Sequence, residues 1–295
     1  MEFNCKEDII QLTPLWQGER FEDGRPKVPD DILTRMENVI TEEAWAVLWR
    51  NGYQFQFEGG WKIMHPDRIL VGRAVTGVMV PRRPDLHDYL MDYGHEKEGR
   101  IGAMNSWVIE TLVKDDVIVI DLFGKVYKGT YSGANLSTAI ASRTGRGQVI
   151  DGGIRDAQQV MEIEGFNTFC RGWDPTGIRD VTLIGMNVPC RIGKATCMPG
   201  DVVLGTPTGV LFIPPHLAQD VVEHSERTHL RERFSHQRLR EGIYNSSQMD
   251  TRWTRAIVDD FMQWLEDNDL GQHLTWDWGF EEEEEEGDEE ETLLG

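Results

Sequence analysis

Residues 133–156, GANLSTAIASRTGRGQVIDGGIRD, are the stretch whose reading decides the fold. A glycine and small residues open it, and Leu136, Ile140 and Ala141 follow at helical spacing. Gly145 and Gly147 stop that helix, and residues 148–150 read as a short buried strand. Asp151, Gly152 and Gly153 are expected to turn the chain sharply and to deliver Arg155 and Asp156 to the start of another helix. Such a pair has two uses. The guanidinium is a planar donor fork for a carboxylate or ketone oxygen. The carboxylate can hold a hard divalent cation, directly or through water. A local ion pair is the commoner meaning of adjacent Arg and Asp. Glycines on both sides, which allow close approach of backbone to a ligand, favour a ligand-binding role over that one. Backbone amides of Ala134, Asn135 and Leu136, at the start of the helix after Gly133, form a main-chain cradle for an anion.

Working outward, residues 117–122 form the most apolar run and are expected at the centre of a sheet. Asp121, at its end, is expected to face the site or to cap a turn. Residues 69–80 are a β-branched strand closed by Pro81 and Pro84. Residues 166–170 read as a further strand that carries Arg171 to a loop. Residues 173–180 read as a polar loop, with Arg179 and Asp180 as decoration. Residues 181–213 read as short strands. Helical periodicity covers residues 30–50, with a break at Thr41, and residues 217–240. The alternation of strands and helices indicates an α/β core. A first segment, 1–29, interrupted by Pro14, Gly18, Gly24, Pro26 and Pro29, reads as an irregular arm pinned by Trp16 and Phe21. The α/β domain spans 30–240, and a helical extension spans 241–280, with Trp253, Ile257, Phe261 and Trp264 on one packing stripe. An acidic tail, 281–295, is expected to be disordered.

Composition narrows the function. The net charge is −21, and ten acidic residues lie in 281–291, leaving the remainder near −11. That balance argues against sequence-independent binding to nucleic-acid phosphates. No apolar run has the length of a membrane span, and the first residues lack a signal-peptide layout. The four cysteines have no metal-site spacing and are expected to be reduced, as in a cytoplasmic protein. His87, Asp88, Asp92, His95 and Glu96 form no clean histidine pair and read as a solvated helix face. Gly124 and Gly129 are not in a dinucleotide-binding frame.

The central stretch resembles the ribonuclease-regulator A / 4-hydroxy-4-methyl-2-oxoglutarate aldolase family. Gly133, Leu136, Thr138 and Ala139 match its G-x-x-L-A-T-A segment. Val149, Asp151, Gly152, Arg155 and Asp156 match its G-V-V-x-D-G-x-x-R-D segment. Residues 116–121, Phe169 to Gly172, Asn187-Val188-Pro189 and Pro199-Gly200-Asp201 through Val210 resemble further family segments, in order. Departures are local. Ala134 and Gln159 stand where aldolase members have acids, as do Thr206 and Thr208 near the last turn.

The resemblance implies stacked β-layers with a helical layer, the swivelling β/β/α type, with helices added at both ends. It implies a cation, Mg²⁺ or Mn²⁺, at Asp156, with Arg155 and the Gly133 turn gripping a small 2-oxo acid. The expected reaction is carbon–carbon lysis of aldolase or decarboxylase type through an enolate. Ala134 leaves the proton to solvent at the cation or to another subunit, since family members are trimers or hexamers. Dehydration or isomerisation of a sugar acid fits the same pocket. The resemblance also implies a non-catalytic alternative, since the family includes a regulator that inhibits an RNA-degrading endonuclease by binding that protein rather than RNA, and the acidic surface would suit a basic partner.

Overall fold

A computed structural model describes residues 5–280; the first four residues and the acidic tail lie outside the described residues. In chain order the elements are α1 (Lys6–Leu12), α2 (Asp30–Met36), α3 (Thr41–Arg50), β1 (Phe57–Glu58), β2 (Lys62–Ile63) and β3 (Leu70–Pro81). Then come α4 (Pro84–Glu96), α5 (Met104–Ile109), β4 (Asp116–Thr130), α6 (Ala134–Thr144), β5 (Gly147–Ile154), α7 (Ala157–Met161) and β6 (Asn167–Trp173). The chain continues through β7 (Val181–Met186), β8 (Cys190–Ile192), β9 (Ala195–Cys197), β10 (Val202–Thr206) and β11 (Gly209–Ile213). It finishes with α8 (Ala218–Glu241), α9 (Ser246–Met249) and α10 (Arg255–Asp267).

Nine strands form the main sheet, in the order β1-β11-β10-β3-β4-β5-β6-β2, with β7 paired to β3. Strands β3, β4, β5 and β6 are parallel, and their flanking partners are antiparallel. Side chains alternate across this sheet because a strand's period is two. Ile118, Ile120 and Ile150 face a core with Trp107, Val108, Ile140 and Val160 from the helices. Val117, Val119 and Val149 face the other way, toward Cys190, Ile192 and Cys197 of the β8–β9 hairpin. Both faces of the central strands are covered, which is why they read as unbroken apolar runs. A third cluster packs α2, α3 and the start of α8 on β10 and β11. All four cysteines are free, and Cys190 and Cys197 face one another in the hairpin register.

Several expectations are corrected. Asp151, Gly152 and Gly153 do not turn; they continue β5, which runs on to Ile154. The glycines serve close approach instead. A Cβ on Gly152 would lie 2.9 Å from the Lys125 carbonyl oxygen, and one on Gly153 would lie 3.0 Å from that of Val126. Residues 122–130 bulge across the sheet there. Arg171 sits within β6 rather than in a loop. The arm contains α1 and is anchored more deeply than its aromatics suggest. Arg25 enters the interior and donates to both Asp116 oxygens, at 2.9 and 3.2 Å. Phe21 lies beneath the Arg25 guanidinium, 4.7 Å from it. The break near Thr41 is present, with α2 and α3 separated by four residues.

The chain divides into two compact units, Met1–Ser225 and Glu226–Gly295. In the second, Trp253, Phe261 and Trp264 of the expected stripe form an aromatic core with Phe234 and Trp278.

Candidate active site

The site is assembled where β5 ends. The Arg155 amide donates to the Ser132 carbonyl at 3.0 Å, which ties the strand end to the turn before α6. Asp156 follows in the left-handed region, φ 55°, an uncommon conformation for a residue with a side chain. Its carbonyl accepts the Gln159 and Val160 amides at 3.0 Å each, which starts α7. Its side chain turns back to α6, where Oδ2 accepts the Ala134 amide at 3.1 Å. A carboxylate at a helix N-terminus is favoured by the unpaired amides and the dipole. Gly133 makes the approach possible, because a Cβ there would collide with Asp156 Oδ2 and stand 2.9 Å from Arg155 Cγ and Nε. The left-handed backbone at Asp156 is thus held by two elements at once.

Residues 155–159 form one wall of an open cleft of about 450 Å³, and Trp173, Asp174 and Pro175 form the other. The Arg155 side chain is 47% exposed and its Nε is 3.9 Å from Asp156 Oδ2. At that distance the pair is weak, and the guanidinium is available to a ligand. Asp174 is ionised readily: hydrogen bonds from the Thr176 hydroxyl and amide hold its carboxyl below the usual range.

Of the residues expected at the site, Gly133, Arg155 and Asp156 are brought together. The Ala134 amide is committed to Asp156, so of the expected cradle the amides of Asn135 and Leu136 are left for an anion. Gln159 lines the cleft. Asp121 does not line it; it pairs in register with Asp151, its carboxylate accepts the Phe123 amide at 2.9 Å, and burial raises its pKa. Thr206 and Thr208 lie elsewhere. They share hydrogen bonds with Thr41, at 2.6 and 2.7 Å, at the start of α3. Arg171 is structural: it donates to Asp151 at 2.6 Å and Glu58 at 2.7 Å and stacks 3.8 Å from the Trp61 ring centroid. Arg179 and Asp180 line a separate hollow with His87.

Trp173, Asp174 and Gln158 were not singled out in the sequence. The available signal was topological. Strands β5 and β6 are parallel, with Ile154 opposite Trp173, so the residues following each strand emerge at one end of the sheet.

Among the described residues no group of three His, Cys, Asp or Glu side chains could hold a metal ion. The Asp156 carboxylate is 35% exposed, with one oxygen fixed by an amide. A single anchored carboxylate open to water fits a hard cation that keeps most of its hydration, as Mg²⁺ does. It does not fit a metal that needs an all-protein cage.

An open α/β sheet with a charged pair beyond the carboxyl end of a parallel strand is the arrangement in which such sheets carry ligand sites. The comparison with known proteins agrees in fold. The RraA-like family, Aldolase/RraA, matches residues 42–212, and the chain belongs to it. An uncharacterised protein of Methanocaldococcus jannaschii is 26% identical over a match covering 59% of this chain and 93% of its own length. A protein of Halalkalibacterium halodurans, provisionally named a 4-hydroxy-4-methyl-2-oxoglutarate aldolase, is 30% identical; the match covers 38% of this chain and 52% of that one. The solved structure of Streptomyces coelicolor RraAS2, described as an unusual member of the RNase ES inhibitor RraA protein family, has a TM-score of 0.59 at 24% identity. It covers 72% of this chain and 98% of its own. An uncharacterised protein of Pseudomonas syringae pv. tomato has a TM-score of 0.60 at 22% identity, covering 77% of this chain and 100% of that one. The swivelling β/β/α reading of the sheet and its helical layer is therefore correct. The arm lies outside the matched segment.

Proposed function

We propose that the chain is a divalent-cation-dependent carbon–carbon lyase acting on a small 2-oxo acid in the Arg155–Asp156 cleft. One observation carries the reading: a barely paired guanidinium shares a cleft with a carboxylate fixed on the N-terminus of α6. Arg155 receives the substrate carboxylate through its donor fork. The Asn135 and Leu136 amides orient the same end of the molecule, and Trp173 gives the cleft an apolar wall. Asp156, with Oδ2 on the Ala134 amide, presents its other oxygen to the cation. A bound Mg²⁺ or Mn²⁺ would supply positive charge to polarise the 2-oxo group. When the C3–C4 bond breaks, its electron pair enters the 2-oxo acid. C4 leaves as carbon dioxide from a 4-carboxylate or, with loss of the 4-hydroxyl proton to solvent, as a carbonyl compound, and a proton at C3 completes the turnover. Ala134 supplies no acid, so that proton comes from solvent held near Asp174 or from a second copy in a trimer or hexamer. The relative named as an aldolase supports the choice of reaction class.

The test is pyruvate release from oxaloacetate and from a panel of 4-hydroxy-2-oxo acids, with Mg²⁺, with Mn²⁺ and with EDTA. Turnover that appears with the cation and disappears with EDTA is the expected result. Absence of turnover on the whole panel would refute the lyase assignment. Activity on a sugar acid instead would make the chain a dehydratase or isomerase, and a cation-indifferent, inactive chain would be a protein-binding regulator.

A further inference from the structure

At the other end of the sheet lies a cavity that the proposed reaction does not use. Its volume is about 280 Å³. Asp201 stands at the start of β10, where Val202 pairs with Arg73 of β3, and Arg73 pairs with Asp116, the first residue of β4. Arg155 instead follows the last residue of β5. The cavity is walled by the arm, including Trp16, and by Tyr53, Met198 and Pro214.

Its polar groups are unequally committed. The Trp16 indole N–H donates to the Glu19 carbonyl at 2.7 Å, which leaves the ring as a wall. The Gln56 side-chain nitrogen donates to the Phe212 and Thr196 carbonyls at 2.7 and 3.2 Å, which leaves its carbonyl oxygen to accept. The Thr13 hydroxyl donates to the Ile9 carbonyl at 2.8 Å and accepts from Arg20. The Tyr53 hydroxyl and His216 Nε2 are paired at 3.2 Å. Asp201 is 2% exposed; its Oδ2 accepts the Met198 amide at 2.8 Å, and its other oxygen has no partner among the described residues. Among the described residues no lysine or arginine lines the cavity.

We infer that this cavity is a second ligand site, built for a small organic cation: an ammonium group on Asp201 with an apolar body against Trp16 and Tyr53. An anion would meet a carboxyl group with no opposing cation. A neutral ligand would gain only neutral hydrogen bonds from the Asp201 carboxyl and the Gln56 carbonyl oxygen. An ammonium ion supplies donors to both acceptors, gains strength from the low dielectric around Asp201 and is attracted by aromatic faces. Burial pushes the Asp201 carboxyl up to about 8. Cys197, which faces it, has a raised pKa and stays a thiol; His216 has a lowered one and stays neutral; Arg20 is held behind Thr13. Below pH 8 the cation therefore binds as Asp201 releases its proton, and its affinity rises with pH up to that value.

The probes are benzylamine, benzyl alcohol and benzoate, titrated calorimetrically into the full chain at pH 6.5 and pH 8. Benzylamine is expected to bind at least tenfold more tightly than either analogue, and more tightly at pH 8. Asp201→Asn, in which the amide oxygen still accepts from Met198, is expected to lower benzylamine affinity at least tenfold. Trp16→Ala, which leaves the carboxyl in place, is expected to weaken it several-fold. Equal binding of the alcohol, undiminished binding by Asp201→Asn, or no benzylamine binding at millimolar concentration would overturn the inference. None of these readouts depends on turnover, so the result is separate from the fate of the lyase assignment.

Discussion

Replacing Gly133 with alanine tests whether the Gly133 turn and Asp156 are one unit. The residue has φ −126° and ψ −164°, extended backbone that alanine adopts freely. The penalty is therefore steric. The new Cβ occupies the space of Asp156 Oδ2 and crowds Arg155, so the carboxylate must leave the Ala134 amide. A hydrogen bond to a charged group contributes about 1.5–3 kcal/mol. Partial exposure of Asp156 reduces that to roughly 1–2 kcal/mol. Alanine also restricts the unfolded chain, which offsets about 0.4–1 kcal/mol. The single variant alone is consequently a weak reporter. The informative quantity is the coupling between Gly133→Ala and Asp156→Ala, from urea unfolding of the four proteins. Once Asp156 is truncated the alanine has only the flexible Arg155 side chain to displace, and the expected coupling is about 1–2 kcal/mol. Additivity within about 0.5 kcal/mol would refute the reasoning, because independent sites add to that accuracy.

Other consequences follow from the same physics. Asp201 holds a proton in the folded state up to about pH 8, whereas the unfolded chain releases it near 3.8. Between those values the folded state binds more protons, so this group's contribution falls as pH rises, by up to about 1.4 kcal/mol per unit. Denaturation at pH 5, 6.5 and 8 should show a smaller loss of stability in Asp201→Asn than in the parent. Arg171→Lys keeps the charge but loses the fork shared between Asp151 and Glu58 and the stacking on Trp61. A loss of about 2–3 kcal/mol is expected in the same unfolding assay, by the scale of hydrogen bonds to charged groups. Phe234→Ala removes the ring that contacts Trp253, Phe261 and Trp264 at centroid distances of 5.3–5.9 Å. The cavity should cost the second unit about 3–5 kcal/mol, read as an early change in tryptophan emission on denaturant titration.

The central strands were legible because both faces of the sheet are buried and β-branched residues accumulate there. The helix from Gly133 to Gly145 was legible because its glycines sit at the cap positions, Gly145 with φ 68°. The same residue type misled at Gly152 and Gly153, which normally suggest a turn. Their role depends on residues 122–130 crossing the sheet, and no local pattern reveals that crossing. Arg25 was passed over for a similar reason: its partner, Asp116, is 91 residues away. Arg155 and Asp156 were singled out through their motif and adjacency. Asp174 was not, since its place in the cleft depends on the register of β6 against β5. Thr206 and Thr208, marked as departures near the last turn, form a hydroxyl cluster with Thr41 at the start of α3.

The most direct test of the proposed function is cation-dependent pyruvate release by Asp156→Asn beside the parent chain, with saturating Mn²⁺ and oxaloacetate. The asparagine oxygen still accepts the Ala134 amide, so the turn is kept while the negative charge is removed. The account predicts a loss of at least about a hundredfold in turnover, or more than 2.7 kcal/mol of transition-state stabilisation, with unfolding little changed. Turnover within a few-fold of the parent would place the chemistry away from Asp156 and contradict the account.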